Sequence, residues 1–149
     1  MVTKDGYTIS TNKASLQIPV IHQYLSKESY WAANIPLSIV QKSIEGSLCF
    51  GIYHTGSQQQ VAFARVITDN ATFAYLADVF VVANHRKKGL SKWMMETIIQ
   101  HPAIKNVRRF MLATKDAHEL YKKYGFNSIE KPERLMQTTT FTNYNQINI

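Results

Sequence analysis

The fold is decided by the stretch Phe73-Ala74-Tyr75-Leu76-Ala77-Asp78-Val79-Phe80-Val81-Val82 and by the segment 83–99 that follows it. The quoted residues form a nearly continuous apolar run rich in β-branched and aromatic side chains, which is typical of a buried strand. From Leu90 the apolar residues recur with the i, i+3, i+4 spacing of an amphipathic helix, which we expect from about Arg86 to His101. A buried strand therefore leads directly into a helix.

The connection between this strand and this helix is basic and contains a glycine, in the order Arg86, Lys87, Lys88, Gly89. The first N–H groups of a helix have no partner within the helix, and the helix dipole favours an anion at that end. Three cations there either point into solvent or meet a bound anion such as phosphate. Two interpretations follow, a solvated charge cluster and a phosphate site at residues 86–91. The sequence contains neither a P-loop nor a G-x-G-x-x-G motif.

The size and composition of the chain fit one globular domain over residues 1–149. Hydrophobic residues make up 45% of the chain and charged residues 18%, as in a soluble protein. No apolar run approaches the about 18 residues of a membrane span, so we expect no membrane association. The start of the chain, residues 1–6, lacks the apolar core of a secretory signal, which favours a cytoplasmic protein. The single cysteine, Cys49, lies in an apolar run and is expected in the core.

The formal charge of +7, from 17 basic and 10 acidic residues, favours anionic partners. The basic residues are dispersed, with small groups at 86–88, 105–109 and 122–123. Because the sequence shows no basic tail and no nucleic-acid-binding motif, nucleic acid is not an expected partner.

The remaining segments predict a mixed α/β fold with a mostly antiparallel sheet. Short polar connections join three successive strand-like segments, which are therefore expected to be antiparallel neighbours. The segment 108–113 is strand-like and follows a helix, so we expect it to run parallel to the strand 73–82 after a right-handed crossover. The expected strands are 7–11, 48–53, 61–68, 73–82 and 108–113, and the expected helices are one opened by Pro19, one between Pro36 and Gly46, one at 86–101 and one at 117–124.

The last predicted helix has signals at both ends. Asp116, with Glu119 three residues later, is expected to cap its N-terminus. Gly125 followed by Phe126 is typical of a Schellman stop. The tail 138–149 carries no charged side chain, and two interpretations stay open for it, a frayed end and an added edge strand.

Two separate motifs, in this order, resemble those of the GNAT N-acetyltransferase superfamily. Residues 86–91, R-K-K-G-L-S, resemble its acetyl-CoA-binding motif Q/R-x-x-G-x-G/A. Residues 117–126, A-H-E-L-Y-K-K-Y-G-F, resemble its late motif A-x-x-L-Y-x-x-x-G-F. The resemblance covers roughly 48–126, and Tyr30-Trp31 together with Phe63-Ala64-Arg65 looks like the signature of a bacterial-type branch.

This resemblance implies a single GNAT-like domain in which strands 73–82 and 108–113 splay apart and acetyl-CoA lies in the opening as cosubstrate. The pantetheine would pair with the backbone of 79–81, and the diphosphate would rest on the N–H groups of 87–91. Gly89 would let the backbone approach the phosphates, and Thr114 stands where the family often has a cofactor-binding asparagine. The implied cofactor-binding residues are Val79, Phe80, Val81, Arg86, Lys87, Lys88, Gly89, Leu90, Ser91 and Thr114.

The resemblance also implies acetyl transfer from the thioester to a small-molecule or peptide amine by direct attack. Tyr121 occupies the tyrosine of the late motif and is the candidate acid for the departing thiolate, and the alternative is that it only packs. Asp78 is the only charge in the run 73–82, where an unpaired carboxylate would cost several kcal/mol. Two interpretations stay open for Asp78, a general base and an ion pair with Arg65 on the adjacent strand.

No metal site is expected, because the five histidines lack ligand spacing. Tyr24, Tyr30 and Trp31 either line the acceptor site or pack in the interior. A homodimer is compatible with the resemblance. Two alternatives to an N-acetyltransferase are a non-catalytic module that binds acetyl-CoA or nucleic acid and an acyltransferase that uses another acyl donor.

Overall fold

A six-stranded sheet in the order β1-β2-β3-β4-β5-β6 lies at the centre of the protein. The computed structural model describes residues 1–146. Neighbouring strands are antiparallel from β1 to β5, whereas β5 and β6 are parallel. This is the mixed, mostly antiparallel sheet that the sequence predicts. The strands are β1 (Val2–Lys4), β2 (Tyr7–Ser10), β3 (Leu48–His54), β4 (Gln60–Thr68), β5 (Phe73–Val81) and β6 (Arg109–Leu112).

The parallel pair β5–β6 separates part-way along its length. The two strands pair only as far as Leu76 and Leu112, whereas β5 continues to Val81. The register of β5 against β4 shifts within the segment of β4 that spans 63–65, and Asp78 opposite it has a φ of +55°. A bulge of this kind bends the strand that carries it. The splayed pair expected from the resemblance is therefore present.

Four α-helices lie over two hydrophobic clusters, one on each face of the sheet. Met94 and Ile98 of α3 belong to one cluster, and Ile21 of α1 and Val40 of α2 belong to the other. Within residues 1–146, no helix is long and apolar enough to cross a membrane. The helices are α1 (Ile18–Gln23), continued by a π-helical turn (Tyr24–Glu28), α2 (Leu37–Glu45), α3 (Leu90–Gln100) and α4 (His118–Lys122).

The helix α3 begins four residues later than the sequence predicts, at Leu90 instead of about Arg86. Lys87 and Gly89 have φ values of +62° and +76°, and a left-handed backbone cannot continue a right-handed helix. A short 3₁₀ turn, Ala83–His85, precedes these residues. The basic segment is therefore a turn in front of the helix and not its first turn.

The strand β1 was not predicted, because all three of its residues are exposed and carry no alternating pattern. It pairs with β2 through a two-residue turn at Asp5 and Gly6, whose φ values are +52° and +84°. Asp-Gly is a strong signal for a tight hairpin of this type. That dipeptide was the local signal for the additional strand.

The predicted cap of α4 at Asp116 is wrong, whereas the predicted stop at Gly125 is confirmed. The residue at the N-cap position is Ala117, and no side chain caps this helix. The N–H of Ala117 donates to Thr114 Oγ1 at 3.0 Å, which fixes the turn in front of the helix. At the other end, the N–H of Phe126 donates to the carbonyl of Tyr121, and Gly125 has a φ of +93°. These are the features of a Schellman motif.

The tail forms no strand between residues 138 and 146, so the edge strand left open as an alternative is absent from that segment. Two short 3₁₀ turns lie in this part of the chain, Pro132–Arg134 and Tyr144–Gln146. Tyr144 packs against the cluster that contains Ile21. Residues 147–149 of the predicted tail lie outside the described residues.

Candidate active site

The cleft between the separated ends of β5 and β6 contains a cavity of about 280 Å³. Asp78 and Val79 of β5 lie on one side of it, and Thr114 beyond the end of β6 and Tyr121 of α4 lie on the other. Tyr30-Trp31, from the connection between α1 and α2, also lines the cavity. The fold thus brings together the two predicted catalytic residues, Asp78 and Tyr121.

Of the two alternatives for Asp78, the ion pair with Arg65 is present. Arg65 Nε donates to Asp78 Oδ2 at 2.8 Å, and the two side chains are 15% and 10% exposed. The indole Nε1 of Trp31 donates to Asp78 Oδ1 at 2.9 Å, and Arg65 Nη1 donates to Ser47 Oγ at 3.1 Å. Both carboxylate oxygens are therefore hydrogen-bonded, which offsets the cost of burying the charge.

Tyr121 both packs and faces the cavity. Its ring lies nearly edge-on to that of Phe126, with 6.0 Å between the ring centroids. Burial, with a smaller contribution from Tyr30, raises the pKa of Tyr121 above its ordinary value. The hydroxyl group carries its proton at neutral pH, as that of an ordinary tyrosine does.

The turn between β5 and α3 presents a row of unpaired N–H groups. The N–H groups of residues 87–91 form no hydrogen bond within the part of the chain that the structure describes. Lys87 and Gly89 are both left-handed, and such residues within a turn can form an anion-binding concavity of backbone N–H groups. A cavity of about 360 Å³ lies against the turn and includes Arg86 and Ser91 in its wall. A Cβ on Gly89 would meet no atom within 4 Å, so the space beside this backbone is open to a ligand.

Arg86 fixes the turn to the end of β5. Its Nε donates to the carbonyl of Val81 at 2.9 Å, and its Nη2 donates to the hydroxyl of Tyr24 at 3.0 Å. Tyr24 stacks on Phe80, with 4.1 Å between ring centroids and an angle of 7° between the rings. Tyr24 therefore supports the turn and does not line the cavity at Trp31. The carbonyl of Val81, one of the groups expected to pair with pantetheine, is occupied by Arg86 here.

Three of the predicted cofactor-binding residues have side chains placed differently from the rest. Lys88 lines a separate cavity of about 440 Å³ beside the β1–β2 hairpin. The side chain of Leu90 is part of the core, so this residue offers only its N–H to a ligand. The hydroxyl of Thr114 accepts the N–H of Ala117, although Thr114 also lines the cavity at Tyr121.

Asp116 is a cavity residue that the sequence prediction missed. It is exposed and lines the same cavity as Asp78 and Tyr121. The sequence favours a helix cap at this position, because Glu119 follows three residues later. The helix begins two residues beyond Asp116 without a side-chain cap, which leaves this carboxylate at the cavity.

Within residues 1–146, no group of three His, Cys, Asp or Glu side chains is placed to hold a metal ion. Two of the histidines lie beside β2 instead. His85 Nδ1 and the hydroxyl of Tyr7 are 2.7 Å apart, and the rings of His54 and His85 are 5.3 Å apart. Burial and, to a lesser degree, His54 lower the pKa of His85 below its ordinary value.

Residues 45–128 match the family model described as the acetyltransferase (GNAT) domain. This chain belongs to the GNAT acetyltransferase family. The matched residues run from the end of α2 to just beyond α4, so they include the turn at Gly89, the splayed strands and Tyr121. The protein is accordingly an enzyme of the acyltransferase class, as the resemblance in the sequence implied.

Relatives of this GNAT protein agree with the family assignment. A predicted acetyltransferase from Gibberella zeae is 32% identical over 141 residues, which cover 81% of this chain and 78% of the relative. The crystal structure of a predicted GNAT acetyltransferase from Xanthomonas campestris is 48% identical, covers 93% of this chain and 96% of that one, and has a TM-score of 0.88. A GNAT acetyltransferase from Elizabethkingia anophelis with acetyl-CoA bound shares the fold, at 16% identity and a TM-score of 0.61 over 83% of this chain and 78% of that one.

Proposed function

We propose that this GNAT enzyme transfers the acetyl group of acetyl-CoA to a primary amine. The observation that carries the proposal is the placement of two cavities along the edge of β5 that β6 leaves free: one lies against the turn at Gly89 and includes Val81, and the other includes Val79 and Tyr121. Acetyl-CoA carries its diphosphate and its thioester at opposite ends of a pantetheine arm, so these two groups would occupy the two cavities. The acetyl-CoA bound to the related fold from Elizabethkingia anophelis supports this choice of donor.

The cofactor would be held mainly by backbone groups. The edge of β5 from Val79 to Val81 faces the gap left by β6, where an extended pantetheine can pair as an additional strand. The N–H groups of residues 87–91 would bind the diphosphate, and the positive charge of Lys87 would add to their field. Arg86 holds the turn in the orientation that aims these groups at the ligand.

The reaction forms one bond and breaks another on the same carbonyl carbon. The nitrogen lone pair of the amine attacks the thioester carbonyl, so a C–N bond forms and the C–S bond breaks. An ammonium group has a pKa of about 10.4 in a lysine-like amine, so it must lose one proton before it attacks and a second proton as the amide forms. One of these protons ends on the sulfur and the other leaves to solvent. The backbone N–H groups near Val81 would stabilise the oxyanion.

We assign the proton donor for the departing sulfur to Tyr121. Tyr121 lies in the wall of the cavity, and its hydroxyl is protonated at neutral pH, so it can give a proton to the thiolate as the thiolate forms. After transfer to sulfur, Tyr121 recovers its proton from solvent. The packing of its ring against Phe126 keeps the hydroxyl in place.

For the proton of the amine we propose Asp78 as the acceptor, directly or through water. The carboxylate lies at the inner wall, next to Val79, whereas Asp116 lies at the exposed end of the cavity. Each carboxylate oxygen can accept a second hydrogen bond besides those from Arg65 and Trp31. Asp78 can thus contact the amine without losing the ion pair that permits its burial.

Thiol release from acetyl-CoA, measured with and without an amine, tests this function. We expect release to require the amine and to yield one amide for each thiol. Asp78→Asn should lower the rate at which the amine is acetylated, whereas Asp116→Asn should retain most of that rate. Slow release that no amine accelerates would contradict the proposal.

A further inference from the structure

Two large aromatic side chains, those of Tyr30 and Trp31, remain exposed at the cavity. The side chains of Tyr30 and Trp31 belong to residues that are 59% and 43% exposed. Their rings are 5.1 Å apart and nearly perpendicular. Adjacent exposed aromatic residues in the wall of a cavity are typical of a surface that contacts a ligand.

Both rings are held in place before any ligand arrives. The hydrogen bond from Trp31 Nε1 to the buried Asp78 fixes the indole. The hydroxyl of Tyr30 accepts the N–H of Lys115 at 3.3 Å, and Lys115 Nζ lies 5.4 Å from the centre of the Tyr30 ring. A surface that is already ordered loses little conformational entropy on binding.

The cavity is acidic in a protein that is basic overall. Its charged wall residues in the described chain are Asp78 and Asp116, whereas the formal charge of the protein is +7. Arg65 neutralises Asp78, and Lys115 lies outside the wall against Tyr30. The carboxylate of Asp116 forms no ion pair among the described residues and therefore adds an unpaired negative charge to the wall of the cavity itself.

The cavity is also small. At about 280 Å³ it is at or below the lower end of the volumes usual for small-molecule sites, and the acetyl group must share it. A cavity of this volume favours an acceptor that inserts only its amino group and a short chain beside the thioester. The rest of an acceptor must lie on the rings of Tyr30 and Trp31 at the mouth.

We infer that the acceptor is a small cationic primary amine joined by a short chain to a planar apolar group, with no anionic substituent. This inference rests on the proposed function. The amino group would enter the cavity between Asp78 and Tyr121. The planar group would lie against Trp31, and Asp116 would discriminate against acceptors that carry a carboxylate or a phosphate.

Matched amines test each part of this inference in the thiol-release assay. Phenylalanine is phenethylamine with a carboxylate added, and ethylamine is phenethylamine without the ring. We expect kcat/KM for phenethylamine to exceed the values for both by about tenfold or more, which is the scale of discrimination by one pocket contact. Asp116→Asn should reduce the preference over phenylalanine, while Asp5→Asn, a change at an exposed residue outside this cavity, should leave the preference unchanged.

A second variant distinguishes a loss of contact with the acceptor's aromatic ring from a loss of the folded site as a whole. Trp31→Leu should raise the KM for phenethylamine by about tenfold and leave the KM for acetyl-CoA unchanged. Equal rates for the three amines, or a preference for phenylalanine, would overturn the inference and leave acetyl transfer intact. If acetyl-CoA binds but none of the amines reacts, the acceptor class is wrong. If acetyl-CoA fails to bind at all, the proposed function itself is wrong.

Discussion

The turn at Gly89 and the cavity at Tyr121 differ in whether their polar and charged groups have partners within the protein. At the turn, Arg86, Lys87 and Lys88 surround backbone N–H groups that have no partner in the described chain. At the cavity, the Asp78 carboxylate is hydrogen-bonded through both oxygens, to Arg65 and to Trp31. The N–H groups of the turn thus remain available for an anion, whereas the buried charged groups at the cavity are paired within the chain.

Exposure explains this difference. The three basic residues of the turn are exposed, so water solvates them and the unpaired N–H groups when no ligand is bound. The Arg65 and Asp78 side chains are at most 15% exposed, and a buried charge without a partner would cost several kcal/mol. The exposed groups of the turn can therefore remain without a protein partner. The buried charges of Arg65 and Asp78 at the cavity must pair with each other.

The largest effect should come from breaking the pair at the cavity. Arg65→Met leaves the buried Asp78 without its cation and should lower the free energy of unfolding by about 3–5 kcal/mol. Lys122→Met removes an exposed ion pair with Glu119, at 3.0 Å, and should cost less than about 1 kcal/mol. Urea denaturation of both variants checks the contrast. Similar losses in the two would show that the pair at Asp78 is no more important than a surface pair.

A smaller effect is expected at Tyr121, which lies in the wall of the cavity. Tyr121→Phe removes the proton donor and should lower kcat by about 100-fold, which corresponds to about 2.7 kcal/mol in the barrier. Because we assign the binding of the diphosphate and of the acceptor's planar group to other residues, the affinities for acetyl-CoA and for the amine should change little. Steady-state kinetics check this, with Tyr124→Phe as the matched change three residues along the chain. Unchanged kcat in Tyr121→Phe would reduce Tyr121 to a packing role.

The smallest effect concerns Cys49 of β3, which lies opposite Arg65 of β4. Burial raises the pKa of this thiol from 9.0 to about 11, against the opposing influence of Lys13 and Arg65. Above pH 9 the thiol ionises in the unfolded chain but stays protonated in the folded one. The free energy of unfolding should therefore fall between pH 9 and 11, by about 2 kcal/mol from this residue.

Denaturation curves at several pH values check the prediction for Cys49. Other groups also titrate above pH 9, so the informative quantity is the difference in slope between the wild type and Cys49→Ala. The variant should lose less stability over the window. Parallel slopes would mean that water reaches the Cys49 thiol and that the pKa of the thiol is not raised by burial.

The sequence predicted the elements that carry a strong periodic pattern. The run 73–82 and the helix after it are long and regular, and their order alone implied the parallel pair that opens the cleft. The ion pair of Asp78 with Arg65 was anticipated as one alternative, because a buried carboxylate needs a partner and Arg65 lies on the adjacent strand. In these cases a single requirement, the burial of apolar side chains or the pairing of a buried charge, is enough to predict the structure.

The parts that were missed depend on contacts between distant segments or on competing local signals. Nothing near Trp31 in the sequence indicates that its indole donates to Asp78. Asp116 is a good helix cap by residue type, and only the folded chain shows that the helix begins at His118 with Ala117 at the cap position. The start of α3 was misplaced because left-handed residues such as Lys87 leave no trace in a hydrophobic pattern.

The central claim is that acetyl-CoA lies in the cleft with its diphosphate on the turn at Gly89, and calorimetric titration of two glycine variants tests it most directly. Gly89 and Gly6 have similar φ values, +76° and +84°, and a Cβ on either would meet no atom within 4 Å, so the backbone strain of a larger side chain is matched. Acetyl-CoA should bind the wild type and Gly6→Leu with the same affinity and show no measurable binding to Gly89→Leu. Equal affinity for all three proteins would contradict this placement of the cofactor.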